Sequence, residues 1–174
     1  AAPRSEAPRL LRGGGQYTDD LNAPGQAWSC FLRSPHAHAA IRSVDTRDAA
    51  NARGVIAIFT GADIAASNLG SLPTFAPNLV PLTRPNGDPI YVPPHPALAI
   101  EKVAFVGDPV AFVIAESLAQ ARDAADLIEV DYEILDANAD TCAATSATPV
   151  WDTCADNVCF EFNIGDDHAV SAAF

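Results

Sequence analysis

Two histidines, His36 and His38, lie two residues apart in the stretch RSPHAHAA. Positions i and i+2 of a β-strand point to the same face, so both imidazoles would project side by side from a strand. Such a pair suits two metal ligands, or one ligand beside a proton shuttle. The remaining histidines, His95 and His168, lie far away in sequence. A metal site and a structural role both stay open on these residues, and we favour the structural role.

Carboxylates form two further candidate sites. Glu129, Asp131 and Glu133 alternate along IEVDYEI, a spacing that could present oxygen ligands to a hard cation. Like charges in a row repel and raise one another's pKa, so we interpret the three as a solvated strand face. Asp19 and Asp20 in YTDDL are interpreted as a turn and helix cap, with a pair of metal ligands as the alternative.

The four cysteines are Cys30, Cys142, Cys154 and Cys159, and only the last two are close, as C-x4-C. Zinc sites and redox motifs favour C-x2-C pairs, and iron–sulfur clusters need tighter groupings. We therefore expect free thiols in a reducing, cytoplasmic compartment. A disulfide between Cys154 and Cys159 in an oxidising compartment such as the periplasm is the alternative.

Composition limits the classes of function. The chain has 174 residues, 49% of them hydrophobic and 18% charged, as expected for one globular domain. Its 22 acidic and 10 basic residues give a net charge of −12. A protein that binds the phosphate backbone needs the opposite sign, and acidic proteins are repelled by anionic membranes. We therefore predict no nucleic-acid partner and no membrane partner.

The first third of the chain predicts an arm and two strands. Residues 1–15 are rich in proline, arginine and glycine and are interpreted as an extended N-terminal arm. The stretches AWSCFLR (27–33) and AAIRSVD (39–45) are typical of strands. In the second strand we expect Ile41 and Val44 to face the core.

A helix and a third strand should follow. We predict that Asp45 caps a short helix that runs to about Arg53 and ends before Gly54. The β-branched run GVIAIFT (54–60) is predicted to be a buried strand. Thr60 should then begin another helical turn.

The second half repeats this order of elements. Two apolar runs in 102–117 are separated by the turn residues 107–109. Ser117 and Gln120 form a capping box for a helix, and IEVDYEI (128–134) alternates as a strand. The expected inward-facing residues of that strand are Ile128, Val130, Tyr132 and Ile134. The expected core face of the helix contains Leu118, Ala121, Ala125 and Ile128.

The tetrapeptide Arg-Asp-Ala-Ala occurs at 47–50 and again at 122–125. Each copy lies in a predicted helix that follows two strands and precedes a third. This placement suggests a β-β-α-β pseudo-repeat. Coincidence in an alanine-rich chain is the alternative.

Between the two halves, segment 67–98 contains eight of the fourteen prolines. Proline at this density excludes helix and central strand. Apart from Tyr91, its only ionisable side chains are Arg84, Asp88 and His95, and many of the others are apolar. A solvated linker would be more polar than this loop. We therefore expect an interaction arm that packs against something else.

Four long stretches resemble a known family. They are RLLRGGGQYTDDL (9–21), FLRSPHAHAAIRSVDTRDAANARGVIAIFTGADI (31–64), VAFVGDPVAFVIAESLAQARDAADLIEVDYEIL (103–135) and VWDTCADNVCFEFNIGD (150–166). They are similar to the start of the large subunit of the molybdenum hydroxylases, the family of xanthine dehydrogenase, aldehyde oxidase and aerobic carbon monoxide dehydrogenase. The sequence departs at 135–138, where the family usually has Leu-Pro-Ala-Val and this chain has Leu-Asp-Ala-Asn.

The resemblance implies an α+β fold, the α/β-hammerhead, with mixed sheets and a few short helices. The hammerhead domain would occupy 16–166, and 167–174 would begin a linker to molybdenum-binding domains. It further implies that R-S-P-x-A-H is a structural signature, which assigns His36 and His38 to the scaffold. The family's molybdopterin contacts and catalytic glutamate lie in later domains, so no catalytic, cofactor-binding or metal residue is assigned to this chain.

The same resemblance implies the activity of the intact enzyme. Such enzymes hydroxylate a heteroaromatic or aldehyde carbon with oxygen from water, or oxidise carbon monoxide. Their cofactors would be molybdopterin with molybdenum, two iron–sulfur clusters of the 2Fe-2S type and usually FAD. The expected partners are the downstream molybdenum-binding domains and the iron–sulfur and flavin subunits.

The chain contains no methionine and ends at Ala-Ala-Phe, so we expect a non-catalytic piece of a larger subunit. Two alternatives are a free-standing binding or assembly module and a small metalloprotein that uses His36 and His38.

Overall fold

The computed structural model describes residues 4–74, 82–84, 86–162 and 165–173, with the backbone alone at 167–169. The helices are α1 (Ala7–Leu10), α2 (Arg47–Ala50), α3 (Gly61–Ser67), α4 (Leu118–Asp126) and α5 (Asp167–Ala173). The strands are β1 (Trp28–Arg33), β2 (Ala39–Asp45), β3 (Val55–Thr60), β4 (Lys102–Val103), β5 (Pro109–Ala115) and β6 (Glu129–Ile134). Short 3-10 turns lie at Thr18–Asp20 and Thr141–Ala143. No helix of the described residues is long and apolar enough to cross a membrane.

The strands form two antiparallel three-stranded sheets that interlock. The first sheet has the order β1-β5-β3 and the second has the order β4-β2-β6. The first β-β-α-β unit contributes β1, β2 and β3, and the second contributes β4, β5 and β6. The middle strand of each unit therefore lies at the centre of the sheet whose two edge strands come from the other unit. The two Arg-Asp-Ala-Ala copies lie in α2 and α4, and their third residues, Ala49 and Ala124, are both fully buried. This arrangement matches the proposed pseudo-repeat.

The core joins the two sheets through small residues. One cluster, between α4 and the inner face of the first sheet, contains Ala49, Ala111, Val113, Ala124, Ala125 and Ile128. The other contains Ala39, Ala99, Val103 and Val110. Val44 and Val130 pack against both clusters, so the interior is continuous. Alanines on α4 allow the helix to approach the sheet closely.

A β-bulge explains why Ile41 and Val44 both face the core, as predicted. Residues three apart in a regular strand point to opposite faces. The pairing register of β2 with β6 shifts between Ile41 and Ser43, and one extra residue restores a common face. The same device occurs in β3, where the register shifts between Val55 and Ala57.

The cap of α4 is present, with one change from the predicted capping box. Ser117 Oγ accepts a hydrogen bond from the Gln120 amide at 3.3 Å. The Gln120 side chain, instead of reaching the Ser117 amide, accepts from the Ser117 hydroxyl at 2.8 Å. Gly54 lies against this cap with φ +80°, and a Cβ there would overlap the Gln120 side chain. Only glycine suits this position between the two halves.

The first helix prediction was too long and its cap was displaced by one residue. Helix α2 ends at Ala50 rather than near Arg53, and its N-cap position is Thr46. Asp45 still accepts a hydrogen bond from the Arg47 amide at 3.0 Å. The two also form an exposed ion pair, and the guanidinium lowers the Asp45 pKa to about 2. The helix begins later because Asp45 is still paired with Glu129 in the sheet.

Three other predictions were wrong in part. The N-terminal arm is not wholly extended, because residues Ala7–Leu10 form the short helix α1, with Pro8 in its first turn. Ile134 was expected to face inward but is 69% exposed, since β6 ends there at the edge of the second sheet. The run 54–60 is buried on one face only, because nothing described here covers the outer face of the first sheet. Its residues Ile56 and Phe59 are 59% and 42% exposed.

Candidate functional site

The two histidines lie in the connection between β1 and β2 rather than in a strand, and their rings have different partners. His38 is 5% exposed, and its Nδ1 lies 2.7 Å from the backbone oxygen of Asp136. Because a carbonyl oxygen only accepts, Nδ1 carries the proton. The His36 ring meets the edge of Tyr132, with 5.0 Å between ring centroids. The two rings therefore contact different parts of the chain, and His38 Nε2 is buried without a hydrogen-bond partner among the described residues.

The preceding residues attach this connection to the turn before β5. Ser34 is buried, its amide donates to the Asp108 oxygen at 2.9 Å, and the Gly107 amide donates to the Ser34 oxygen at 2.8 Å. Arg33 Nη1 donates to the Gly107 oxygen at 2.8 Å. On the other side, the Leu135 amide donates to the His38 oxygen at 3.0 Å. The RSPHAH stretch thus joins the two halves of the fold.

Both acidic candidates have structural surroundings. Asp20 accepts a hydrogen bond from the Tyr17 amide at 2.9 Å in a 3-10 turn, which confirms the turn interpretation of YTDDL. Glu129, Asp131 and Glu133 are exposed along β6, as predicted for a solvated face, and Glu133 pairs with Arg42. Among the residues that the structure describes, no group of three or more His, Cys, Asp or Glu side chains could hold a metal ion.

All four cysteines are free thiols in the structure. Cys154 is buried and Cys159 is half-buried. Burial raises the pKa of the Cys159 thiol, and the neighbouring Cys154 acts in the same direction. Since the thiolate is the reactive form, Cys159 is a weak nucleophile at neutral pH.

A groove of about 830 Å³ lies beside the proline-rich segment. Its walls come from three parts of the chain, 90–96, 99–108 and 151–160, with 72–74 at one end. The larger apolar side chains that line it are Ile90, Tyr91, Val92, Phe105, Trp151 and Phe160. The ionisable side chains are His95, Glu101, Lys102, Asp108, Asp152 and Cys159. Sequence patterns did not predict this groove, because its walls are far apart along the chain.

The charged groups of the groove are mostly satisfied. Lys102 Nζ lies 2.8 Å from Asp152 Oδ1 and donates to the Val150 oxygen at 3.3 Å, and this ammonium lowers the pKa of Asp152. Asp108 is nearly buried and accepts from the Ala104 amide at 2.9 Å. Burial raises its pKa, and the Ala104 bond and nearby His95 oppose the shift. Lys102 and Asp152 therefore balance each other's charge, and Asp108 is bonded within the chain.

The described parts of segment 67–98 are attached to the C-terminal part of the chain. The Tyr91 amide donates to the Cys159 oxygen at 3.0 Å, and the Glu161 amide donates to the Thr83 oxygen at 2.9 Å. Arg84 forms a largely buried ion pair with Asp156 at 2.7 Å. Several apolar side chains still face solvent, among them Leu69, Leu72 and Val92. Residues 75–81 and 85 of the predicted arm lie outside the described residues.

Comparison with known families now identifies the domain. The family model described as "Aldehyde oxidase and xanthine dehydrogenase, a/b hammerhead domain" matches residues 12–136. The chain belongs to this family. The predicted resemblance and the predicted α/β-hammerhead fold are confirmed.

Relatives of this hammerhead domain are parts of oxidoreductases. The carbon monoxide dehydrogenase large chain of Afipia carboxidovorans is 43% identical over 76% of this chain and 14% of its own length. The nicotine 6-hydroxylase large subunit of Paenarthrobacter nicotinovorans is 38% identical over 85% of this chain and 17% of its own. The hammerhead domain thus spans less than a fifth of the length of these curated relatives.

Solved structures agree with this assignment. Quinoline 2-oxidoreductase from Pseudomonas putida 86 matches with a TM-score of 0.74 and 37% identity, over 91% of this chain and 19% of that one. The crystal structure of the Cu,Mo-CO dehydrogenase in its carbon monoxide reduced state matches with a TM-score of 0.68 and 40% identity, over 83% of this chain and 16% of that one.

Proposed function

We propose that this chain is a structural and assembly domain of a molybdenum-hydroxylase large subunit. The observation that carries the proposal is the bonding of the RSPHAH stretch, in which Arg33, the Ser34 backbone and His38 Nδ1 are held by Gly107, Asp108 and Asp136. The short span relative to its relatives supports it further. The intact enzyme would hydroxylate a heteroaromatic or aldehyde carbon, or oxidise carbon monoxide.

The cofactors of that enzyme would be molybdopterin with molybdenum, two iron–sulfur clusters and usually FAD. We assign none of them to residues of this chain. The partners of the domain would be the molybdenum-binding domains of the same subunit, and the iron–sulfur and flavin subunits. The domain's own contribution would be to hold these parts in register.

We further propose that segment 67–98 is the interaction arm of this domain. Its anchor to Cys159 and Glu161 fixes one wall of the groove, while Leu72 and Val92 remain open to a partner. Monomeric proteins rarely leave large apolar patches uncovered, so a neighbouring domain or subunit is the expected cover. The Arg84–Asp156 pair would keep the arm in place before the partner binds.

Hydrogen exchange on the isolated chain and on the intact enzyme tests both proposals. We expect the amides of 67–98 to exchange faster in the isolated chain than in the enzyme, apart from anchored amides such as that of Tyr91, which donates to the Cys159 oxygen. Helix α4, which is covered by the domain's own core, should exchange at similar rates in both and serves as the control. Equal exchange of 67–98 in both states would contradict the arm.

A further inference from the structure

Apolar side chains from all three strands form the centre of the outer face of the first sheet, and the same face of β1 also carries the exposed Ser29 and Arg33. We call it the phenylalanine face and define it by Phe31, Ile56, Phe59, Phe112 and Ile114. Phe31 on β1 and Phe59 on β3 both stand opposite Phe112 on the central strand. The Phe31 and Phe112 rings are 4.6 Å apart between centroids and tilted by 40°. The pairing register therefore builds one continuous aromatic row.

This face is open to solvent, although two of its three strands have the continuous apolar sequence of strands covered on both sides. Phe31 and Phe59 are 43% and 42% exposed, and Ile56 is 59% exposed. The opposite face of the same sheet packs against α4. An antiparallel sheet with one solvated face normally alternates apolar and polar residues, whereas strands covered on both sides are apolar throughout. Strands β3 and β5 follow the second pattern, as VIAIFT and PVAFVIA.

We propose that the phenylalanine face is the docking surface for another part of the same large-subunit polypeptide, outside residues 1–174. This inference rests on the proposed assembly function. The matched regions of the relatives take up only 14% to 19% of their chains, so a large remainder of polypeptide is at hand to cover the face. A second copy suits the face poorly, because each copy carries a net charge of −12.

The rim of the face indicates the chemistry of its partner. The Arg33 guanidinium lies 5.5 Å from the centroid of the Phe31 ring, at one end of the aromatic row. Within the described residues Arg33 forms no ion pair, and its recorded hydrogen bond goes to the Gly107 oxygen. The partner surface should therefore be apolar at its centre and carry a carboxylate or a carbonyl group opposite Arg33.

Cysteine accessibility tests the docking surface. The variant Phe59→Cys, with Asp131→Cys on the exposed strand β6 as matched control, is prepared in the 174-residue chain and in the full-length large subunit. Alkylation by a maleimide is followed peptide by peptide, so that the native cysteines do not interfere. In the full-length subunit we expect residue 59 to react at least about 50-fold more slowly than in the chain, and residue 131 to change by less than about threefold.

Several outcomes decide between this face and its alternatives. Equal alkylation rates of residue 59 in both proteins would overturn the proposal. It would also be overturned if alkylation in the isolated chain became slower with increasing protein concentration, because that result indicates that a second copy covers the face. Ile56→Cys at the edge of the same face repeats the test if Phe59→Cys fails to fold. If residue 59 is not protected but 67–98 is protected in hydrogen exchange, the docking surface is wrong and the assembly function still stands. If neither residue 59 nor 67–98 is protected, the docking surface and the assembly function are both contradicted.

Discussion

The two sheets of this domain share one plan and differ in the surfaces they turn outward. Each has a central strand contributed by the other half of the chain, and both have inner faces in a common core. The first sheet exposes the phenylalanine face, whereas edge strand β6 of the second exposes Glu129, Asp131 and Glu133. The two sheets therefore expose different chemistry: apolar side chains on the first and carboxylates on the second, and the proposed docking role belongs to the first.

The largest expected effect concerns the buried inner faces of the two sheets. If the sheets differ only in their outer faces, shortening an inner side chain should destabilise the protein equally in either sheet. Val113 and Val103, fully buried in the first and second sheets, are the test positions. We expect Val113→Ala and Val103→Ala each to lower the free energy of unfolding by about 2–3 kcal/mol, measured by chemical denaturation.

The matched control for this pair is Val106→Ala, at a valine that is 66% exposed. It should change the free energy of unfolding by less than about 0.5 kcal/mol. A large effect at only one of the two buried valines would break the equivalence of the inner faces.

A smaller effect is expected at the helix that covers only the first sheet. Ser117→Ala removes the oxygen that accepts from the Gln120 amide, so it should destabilise the chain by about 1 kcal/mol. Ser117→Asp keeps an acceptor and should retain most of the stability. An unchanged denaturation midpoint for Ser117→Ala would mean that α4 does not depend on this cap.

The stability of the fold should depend on pH through Asp108, which lies in the turn before β5. Burial raises the pKa of Asp108 in the folded state above its unfolded value, so the folded state binds the proton more tightly. This contribution to stability is present at low pH and is lost as pH rises through the folded pKa. Asp108→Asn, which keeps an acceptor for the Ala104 amide, should abolish that loss.

Denaturation midpoints of both proteins across the acidic range check this expectation. The difference between them should grow in favour of Asp108→Asn as pH increases. A variant that loses stability relative to the parent with rising pH would show that the buried carboxylate is stabilised by its surroundings.

We expect no bound metal ion at the histidine pair. The rings of His36 and His38 contact Tyr132 and the Asp136 oxygen, two separate structural contacts. Elemental analysis of the purified chain should find no molybdenum, no iron and no stoichiometric zinc. One metal ion per chain, lost in His36→Ala, would support the small-metalloprotein alternative instead.

Local patterns predicted most of the elements but few of the contacts between them. Strand 39–45, the start of β5 at Pro109 and the helix after Ser117 follow from short-range periodicity and capping, which are properties of neighbouring residues. The bond from Ser34 to Asp108 joins residues 74 positions apart, and no spacing rule encodes it. That is why the residues of the RSPHAH stretch, taken alone, leave both a metal site and a scaffold role open.

The outer surfaces were predicted unevenly for a related reason. Glu129, Asp131 and Glu133 indicate solvent by their charge alone, and the structure confirms them as exposed. Phe59 and Ile56 are apolar and were assigned to a buried strand, although their exposure depends on which neighbours are present. Burial of an apolar residue is a property of the whole assembly, so a single chain's sequence leaves it undetermined.

A structure of the intact large subunit, determined by crystallography or electron microscopy, tests the central claim most directly. It should show the phenylalanine face covered by other parts of the same polypeptide, with the exposure of Phe59 falling from 42% to below about a tenth, as in an interface core. Glu129 and Asp131 should remain in water. A structure with Phe59 still exposed and the acidic strand β6 covered instead would contradict the account.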